Sequence, residues 1–96
     1  GLRNTSLDGV FVIQPQTHHD ARGQTYAAFD APHFAAFGLH TRYVADQFTR
    51  AHQGSLYGIY YARDGQMSQL LTVLRGSLFV VAVDLRPRRQ TFGQAI

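Results

Sequence analysis

The chain has 96 residues and a formal net charge of +3, and every charged side chain apart from histidine is an Arg or an Asp. This length predicts a single domain over residues 1–96. The absence of Cys excludes disulfides, zinc–thiolate sites and thiol nucleophiles, and the absence of Lys excludes a lysine base. No apolar run approaches the roughly 20 residues that span a membrane, and no signal-peptide pattern is recognised, so we expect a cytoplasmic protein.

The first part of the chain predicts two short strands around a polar loop. Residues 10–13 are apolar and β-branched, and this strand should end before Pro15. Residues 17–23 predict a polar loop whose turn is Asp20-Ala21-Arg22-Gly23. Residues 25–29 predict the second strand.

A short helix is predicted over residues 31–37. Asp30 is a favourable N-cap, Pro32 suits the first helical turn, and Gly38 follows at the C-terminal stop. Phe34 and Phe37 lie on one side of this helix and should face the core.

The second part of the chain predicts further short strands. They cover residues 43–50 and 55–62, with a turn at 63–65, and another strand begins at 91–93. About seven short strands with frequent turn signals predict an all-β sandwich or barrel.

Residues 69–85 predict the central hairpin, with Gly76 in its turn. Leu74, Leu78 and Val80 would share one face, and Val73, Phe79 and Val81 the other. Because both faces are apolar, this hairpin belongs inside a sandwich, a barrel or a subunit interface.

Several motifs stand in an order that resembles a known family. They are Asp20-Ala21-Arg22-Gly23, a short helix ending at Gly38, the run from Gly54 to Ala62, and Arg75-Gly76 followed by Asp84-Leu85-Arg86. In order and spacing they resemble the dTDP-4-dehydrorhamnose 3,5-epimerases, which are cupin-type jelly rolls. The resemblance implies a cupin-like jelly roll, or a truncated one, with one short helix. It also implies that the catalytic Tyr and Asp of the family belong to a second half of the fold, beyond the part that this chain resembles.

The resemblance places five ligand-binding candidates: Arg22, Gln47, Tyr57, Tyr60 and Gln69. Arg22 keeps the identity of a family nucleotide contact. Tyr60 stands where the family has its general base His, Tyr57 where it has a substrate-binding Arg, and Gln69 where it has a Lys. Tyrosine ordinarily has a pKa near 10 and histidine about 6.5, so Tyr60 is a poor replacement for a base at neutral pH, and no catalytic residue is assigned.

Three functions compete on this pattern. The first is a degenerate relative of the epimerases without turnover, a sugar-nucleotide-binding or structural module. The second is an active sugar-nucleotide epimerase or isomerase that uses another base, such as Tyr60 or a partner's His. The third is a regulatory or interaction protein. We expect no cofactor, no nucleic-acid or membrane partner, and a homo-oligomer, most simply a dimer, because one face of the hairpin lacks cover within one chain and because the family dimerises.

Other chemistry has weaker support. The five histidines form no His-x-His pair and are expected to be solvated loop residues, so no metal site is predicted. Tyr57, Tyr60 and Tyr61 could form an aromatic pocket or simply fill space left by smaller polar groups. Arg86, Arg88 and Arg89 could meet phosphate, although a solvated edge explains them as well. Asp84 and Arg86 predict a structural ion pair at the strand exit.

Overall fold

The computed structural model of the chain describes residues 1–58, 60–62 and 67–96. Its regular elements are β1 (Leu2–Asn4), β2 (Phe11–Ile13), β3 (His18–Asp20), β4 (Gly23–Thr25) and α1 (Ala31–Ala36). The strands form two small antiparallel sheets, β1–β2 and β3–β4. Four strands and one short helix in the described ranges agree with the predicted all-β class. None of the helices described is long and apolar enough to cross a membrane.

The first sheet joins the start of the chain to the first predicted strand. Leu2 pairs with Ile13 and Asn4 with Phe11. The connecting loop is tied by the Thr5 hydroxyl, which donates to the Val10 carbonyl at 2.7 Å and accepts from the Leu7 amide at 3.2 Å. The strand predicted at residues 10–13 is therefore confirmed as β2. Its partner β1 was missed because Leu2-Arg3-Asn4 carries no alternation of apolar and polar residues.

The second sheet corrects two predictions. Residues 17–23, expected to be a loop, contain β3, which pairs with β4 from His18↔Thr25 to Asp20↔Gly23. The predicted turn at residues 20–23 is confirmed, and its local hydrogen bonds bring together two polar strands that lack an apolar face. The strand expected at residues 25–29 is wrong beyond Thr25. Phe29 instead packs edge-on against Phe34, with ring centroids 4.9 Å apart.

Helix α1 follows its predicted capping signals. The Asp30 carboxylate accepts a hydrogen bond from the His33 amide at 3.3 Å, and Pro32 lies in the first turn. The helix ends at Ala36 with Phe37 as its C-cap, and Gly38 follows with a φ of +85°, which suits a residue without a side chain. Phe34 is buried and, with Leu7, is one of the two buried apolar residues in the described part of the chain.

The end of the chain folds back on itself. Ala82 and Ile96 exchange two backbone hydrogen bonds of 3.0 Å, and Val83 forms an antiparallel bridge with Ala95. Residues 91–93, predicted to begin a strand, form a turn in which the Gly93 amide donates to the Asp84 carbonyl at 2.7 Å. That prediction is wrong because Thr91 is used to bind Asp84. Pairing starts after the turn.

The described residues between 44 and 81 form what we call the open segment. They lie in no helix or strand, and all of them are exposed except Ala62 and Leu70, which are partly exposed. The strands predicted at residues 43–50, at the described part of 55–62 and on both sides of Gly76 are therefore wrong for this chain alone. The bend at Gly76 is confirmed by its φ of +86°. The turn expected at residues 63–65 lies outside the described residues.

The open segment gives the molecule an extended surface. The accessible area is 9315 Å², whereas a compact domain of 10.7 kDa exposes roughly 5,500 Å². The radius of gyration is 15.5 Å, against about 12.5 Å for a compact chain of this length. The predicted strands lack ladders because the layer that would cover their two apolar faces is not supplied by the described residues.

Candidate functional site

The Asp20–Arg22 turn is the best-defined element among the candidate binding residues. The Asp20 carboxylate accepts the Arg22 backbone N–H at 2.8 Å and the Arg22 Nη2 at 2.7 Å. The Nε atom lies 3.5 Å from the same carboxylate. This pairing fixes the direction of the guanidinium at the tip of the β3–β4 hairpin, while 91% of the Arg22 side chain stays exposed. The turn therefore presents a positioned cation to solvent.

The two charges of this turn stabilise each other. The Arg22 side chain, and then its backbone N–H, lower the pKa of Asp20 from its usual range. The same side-chain hydrogen bond raises the pKa of Arg22. Arg22 thus stays charged at any physiological pH, and planar guanidinium donors match the geometry of phosphate oxygens.

The other four candidates lie in the open segment, whereas Arg22 lies in the turn between β3 and β4. Gln47, Tyr57, Tyr60 and Gln69 are all exposed. The Gln69 amide donates to the Met67 sulfur at 3.2 Å. Tyr60 is 76% exposed. None of the five candidates lines either of the two cavities found beside α1.

The three neighbouring tyrosines adopt neither arrangement expected for them. Tyr57, Tyr60 and Tyr61 are 58%, 76% and 69% exposed. They neither enclose an aromatic pocket nor fill a core in this chain alone. A stacking or filling role would require further structure to cover them.

The larger cavity, of about 240 Å³, was not predicted from the sequence. Phe34 and Phe37 form its apolar part, and His18, Tyr26 and His33 add polar groups. It opens where the β3–β4 hairpin meets α1. The only signal for it was the apolar side of the helix, which was interpreted as a core face. The smaller cavity, of about 200 Å³, lies beside α1 near Leu39 and Arg42.

The histidines of the chain lie at the surface. His18 and His19 are on β3, His33 is on α1, and all are exposed together with His40 and His52. His18 and His19 are thus strand residues and not loop residues, a correction that follows from the β3–β4 pairing. Across residues 1–58, 60–62 and 67–96, no three His or Asp side chains are grouped so that they could hold a metal ion.

The predicted Asp84–Arg86 ion pair is confirmed and is the most connected polar group described. Arg86 Nε and Nη2 each donate to the Asp84 carboxylate at 2.9 Å, and Nη2 also reaches the Asp8 carbonyl at 2.9 Å. The Thr91 hydroxyl donates to the same carboxylate. These bonds, with that from Arg86 first, hold the pKa of Asp84 well below its usual range.

The basic cluster near the end of the chain is partly neutralised by this network. Arg86 is paired with Asp84, and Arg89 lies 3.1 Å from the Asp8 carboxylate. Two of its three arginines therefore hold the N-terminal loop to the C-terminal turn, which favours a structural role over a phosphate patch.

The comparison with known proteins identifies the family. A family model for dTDP-4-dehydrorhamnose 3,5-epimerase matches residues 4–96. The chain belongs to this family. It is 38% identical over 90 residues to the dTDP-4-dehydrorhamnose 3,5-epimerase of Methanothermobacter thermautotrophicus, which covers 94% of this chain and 49% of the relative. The match to the Escherichia coli enzyme is 31% identical over 93 residues, 94% of this chain and 50% of the relative.

The chain spans about half the length of the curated epimerases it matches. No solved structure matches it. Membership of the epimerase family confirms the resemblance inferred from the Asp20–Gly23 turn, the helix ending at Gly38 and the run from Gly54 to Ala62.

Proposed function

We propose that the chain is a sugar-nucleotide-binding member of the epimerase family without epimerase turnover. One observation carries this proposal: the turn that presents Arg22 is held by its pairing with Asp20, whereas Tyr60, at the position where the resemblance places the base of the family, is 76% exposed in the open segment. In this proposal the turn that binds the nucleotide is retained, and a suitable catalytic base is lost.

The binding side rests on Arg22. Asp20 holds one edge of the guanidinium, and the largely exposed remainder can donate to the diphosphate of a dTDP-sugar or another nucleotide-sugar. In this proposal Gln47, Tyr57, Tyr60 and Gln69 contact the ligand once the open segment is ordered. Asp20 contributes by limiting the conformational entropy that Arg22 loses on binding.

The catalytic side lacks a suitable base. Epimerisation beside a ketone requires a group that accepts a carbon-bound proton near neutral pH. The sequence contains no Lys and no Glu that could take the role of the base. Tyr57 likewise gives no positive charge where the resemblance expects one. Tyr60 in place of the family His and Tyr57 in place of the family Arg both support a loss of turnover. Both also leave aromatic side chains at these positions.

We infer one cupin-like domain over residues 1–96 that is completed by association, with a homodimer as the simplest form, because both faces of the region around Gly76 are apolar and exposed. Light scattering of the purified chain tests this. A cytoplasmic location stays a prediction.

Binding is tested by titrating dTDP into isotope-labelled protein and following the amide resonances. We expect the Ala21, Arg22 and Gly23 resonances to shift, with weak affinity in the millimolar range. The variant Arg22→Gln should lose most of the shift, whereas Arg88→Gln, an exposed arginine outside the turn, should keep it. Equal shifts in both variants would show that binding is unspecific charge attraction.

Turnover is tested separately with a dTDP-4-keto sugar in deuterated water. We expect no deuterium incorporation above the protein-free control. Incorporation that disappears in Tyr60→Phe would instead establish an active enzyme with a tyrosine base and would overturn this part of the proposal.

A further inference from the structure

Asp8 and Gly9 form the corner of the loop between β1 and β2. The Val10 amide donates to the Leu7 carbonyl at 3.2 Å across this corner, and Gly9 has a φ of +87°. Leu7 is buried, whereas the Asp8 side chain is 73% exposed. The loop therefore presents to solvent an aspartate that is followed by a residue without a side chain.

An aspartate followed by glycine can undergo an intramolecular reaction. The backbone nitrogen of the glycine attacks the carbon of the protonated side-chain carboxyl and closes a succinimide ring, while the carboxyl hydroxyl leaves with the amide proton as water. Addition of water then breaks one of the ring's C–N bonds. The product is either the original aspartate or isoaspartate, in which the main chain runs through the side-chain carbon. Isomerisation therefore needs no reactant besides water.

The surroundings of Gly9 leave this reaction open. A Cβ placed at Gly9 would meet no atom closer than Arg86 Nη1, at 3.9 Å. Among the described residues, no hydrogen bond takes the Gly9 amide, so attack by its nitrogen breaks no such bond. Of the six acidic residues, Asp8 and Asp64 are followed by glycine, and Asp64 lies outside the described residues. Asp8 is therefore the described aspartate most open to ring closure.

The ion pair of Asp8 with Arg89 opposes the reaction. Arg89 Nη1 lies 3.1 Å from the Asp8 carboxylate. A guanidinium stabilises the ionised form of a carboxyl group, and the ionised form is the poorer electrophile. Because exposed ion pairs are weak, the protection is partial.

Isoaspartate at position 8 would change both contacts that Asp8 makes with the C-terminal turn. Arg86 Nη2 donates to the Asp8 carbonyl at 2.9 Å, and Arg89 pairs with the carboxylate. In isoaspartate the two groups exchange roles: the former carbonyl becomes the free carboxylate, and the former carboxylate becomes a peptide carbonyl. Arg89 thus loses its charged partner, and the turn from Leu7 to Val10 gains one backbone carbon.

We propose that Asp8-Gly9 is a site of spontaneous isomerisation to isoaspartate, and that the product releases Arg89 from the N-terminal loop. Pairing with Arg89 slows the reaction in the folded chain. This inference does not depend on nucleotide binding by Arg22, and it concerns a different part of the molecule.

The test begins with ageing of the purified chain in neutral buffer over several weeks. Trypsin releases residues 4–22, which contain Asp8, separately from residues 64–75, which contain Asp64. We expect the peptide of residues 4–22 to separate into species of equal mass, and electron-transfer fragmentation to locate isoaspartate at position 8. Asp8→Glu keeps a carboxylate but would have to close a larger and less favourable ring, so its peptide should stay a single species.

A matched pair of arginine variants tests the protection. Arg89→Gln removes the ion pair and should accelerate isomerisation by about two- to fivefold, as expected for an exposed pair. Arg88→Gln removes the same charge from an exposed neighbour that forms no ion pair among the described residues, and it should leave the rate unchanged. Circular dichroism of both variants before ageing confirms that they are folded.

The effect on the loop is measured on the aged chain after chromatographic separation of the isoaspartate form. Exchange of the Val10 amide should accelerate by at least about tenfold, because its hydrogen bond to Leu7 is lost. Exchange of the Gly38 amide, after α1, should not change. The proposal is overturned by an absence of isoaspartate at position 8, by equal rates in Arg88→Gln and Arg89→Gln, or by unchanged exchange of Val10.

Discussion

Residues 1–42 form two hairpins and a capped helix, whereas the open segment contains no helix or strand. The difference does not come from intrinsic preference, because residues 70–74 and 77–83 are richer in strand-forming side chains than β1 or β3. The difference comes from how far apart along the chain the contacting residues must lie. Residues 1–42 close their structure with neighbours along the chain, while strands with two apolar faces need layers from far away.

The two Asp-x-Arg turns repeat this contrast at the level of single side chains. In Asp20-Ala21-Arg22 and Asp84-Leu85-Arg86 the carboxylate accepts the backbone N–H two residues later and the guanidinium. The Asp20 side chain is 53% exposed and the Asp84 side chain 1%. The same local motif therefore presents a cation to solvent at one end of the chain and holds two distant segments together at the other.

The largest effect is expected from removing the ring of Phe34. Phe34→Ala should destabilise the helix region by about 3 kcal/mol, because a buried aromatic side chain and its contact with Phe29 are lost. Phe48→Ala, at a residue 79% exposed in the open segment, should change the stability of the chain alone by less than about 0.5 kcal/mol. Chemical denaturation followed by circular dichroism measures both. Similar losses in the two variants would show that the open segment is packed in solution.

The next effect concerns the buried carboxylate. The pKa of Asp84 is lowered in the folded chain, so its contribution to stability is present above the ordinary carboxylate value of about 3.9 and is lost as the pH falls below it. We expect the exchange of the Gly93 and Gln94 amides to accelerate over that acid range. Asp84→Asn should accelerate it at least about tenfold at neutral pH and flatten the pH dependence.

Asp20→Asn is the matched control for this carboxylate. It removes the same kind of pair from an exposed turn, and it should leave the exchange of Gly93 and Gln94 unchanged. An equal effect of Asp20→Asn and Asp84→Asn at the C-terminal turn would contradict the distinction drawn between the two motifs.

The smallest effect is expected at the helix N-cap. Asp30→Ala should cost about 1 kcal/mol, since the His33 amide loses its side-chain acceptor. Asp30→Ser should retain most of the stability because a hydroxyl also caps. Helical circular dichroism during thermal unfolding separates the two variants. An unchanged midpoint in Asp30→Ala would mean that packing of Phe34, and not the cap, sets where the helix begins.

The features that could be predicted from the sequence are those with short-range causes. The ends of the helix are predicted to within one helical turn by Asp30, Pro32 and Gly38. The hairpin turn at residues 20–23 is determined by the Asp20 carboxylate and the backbone amide two residues later. The family was predicted from the order and spacing of several motifs, and the position of Arg22 from the turn at residues 20–23. β1 was missed because its residues do not alternate between apolar and polar. Its pairing partner β2 also lies beyond a loop that is held by the hydrogen bonds of Thr5.

Whether the candidate binding residues come together in space could not be predicted in the same way. Gln47, Tyr57 and Gln69 were placed together by resemblance to proteins twice the length of this match. Their approach to Arg22 depends on strand ladders that the described residues do not form. Side-chain identity along a strand predicts which groups share a face, but only pairing between strands brings those groups to one place.

The contacts of Arg86 and Arg89 with Asp8 make most of the chain a closed loop. The Arg86–Asp8 hydrogen bond joins residues 78 positions apart. Closing a flexible loop of that length costs roughly 4 kcal/mol of chain entropy, apart from a constant. Anything that orders the open segment shortens the effective loop and strengthens the joining of the two ends. By thermodynamic linkage the joined ends favour that ordering to the same extent. The stability of the contacts between the two ends of the chain is thereby coupled to the ordering of the open segment.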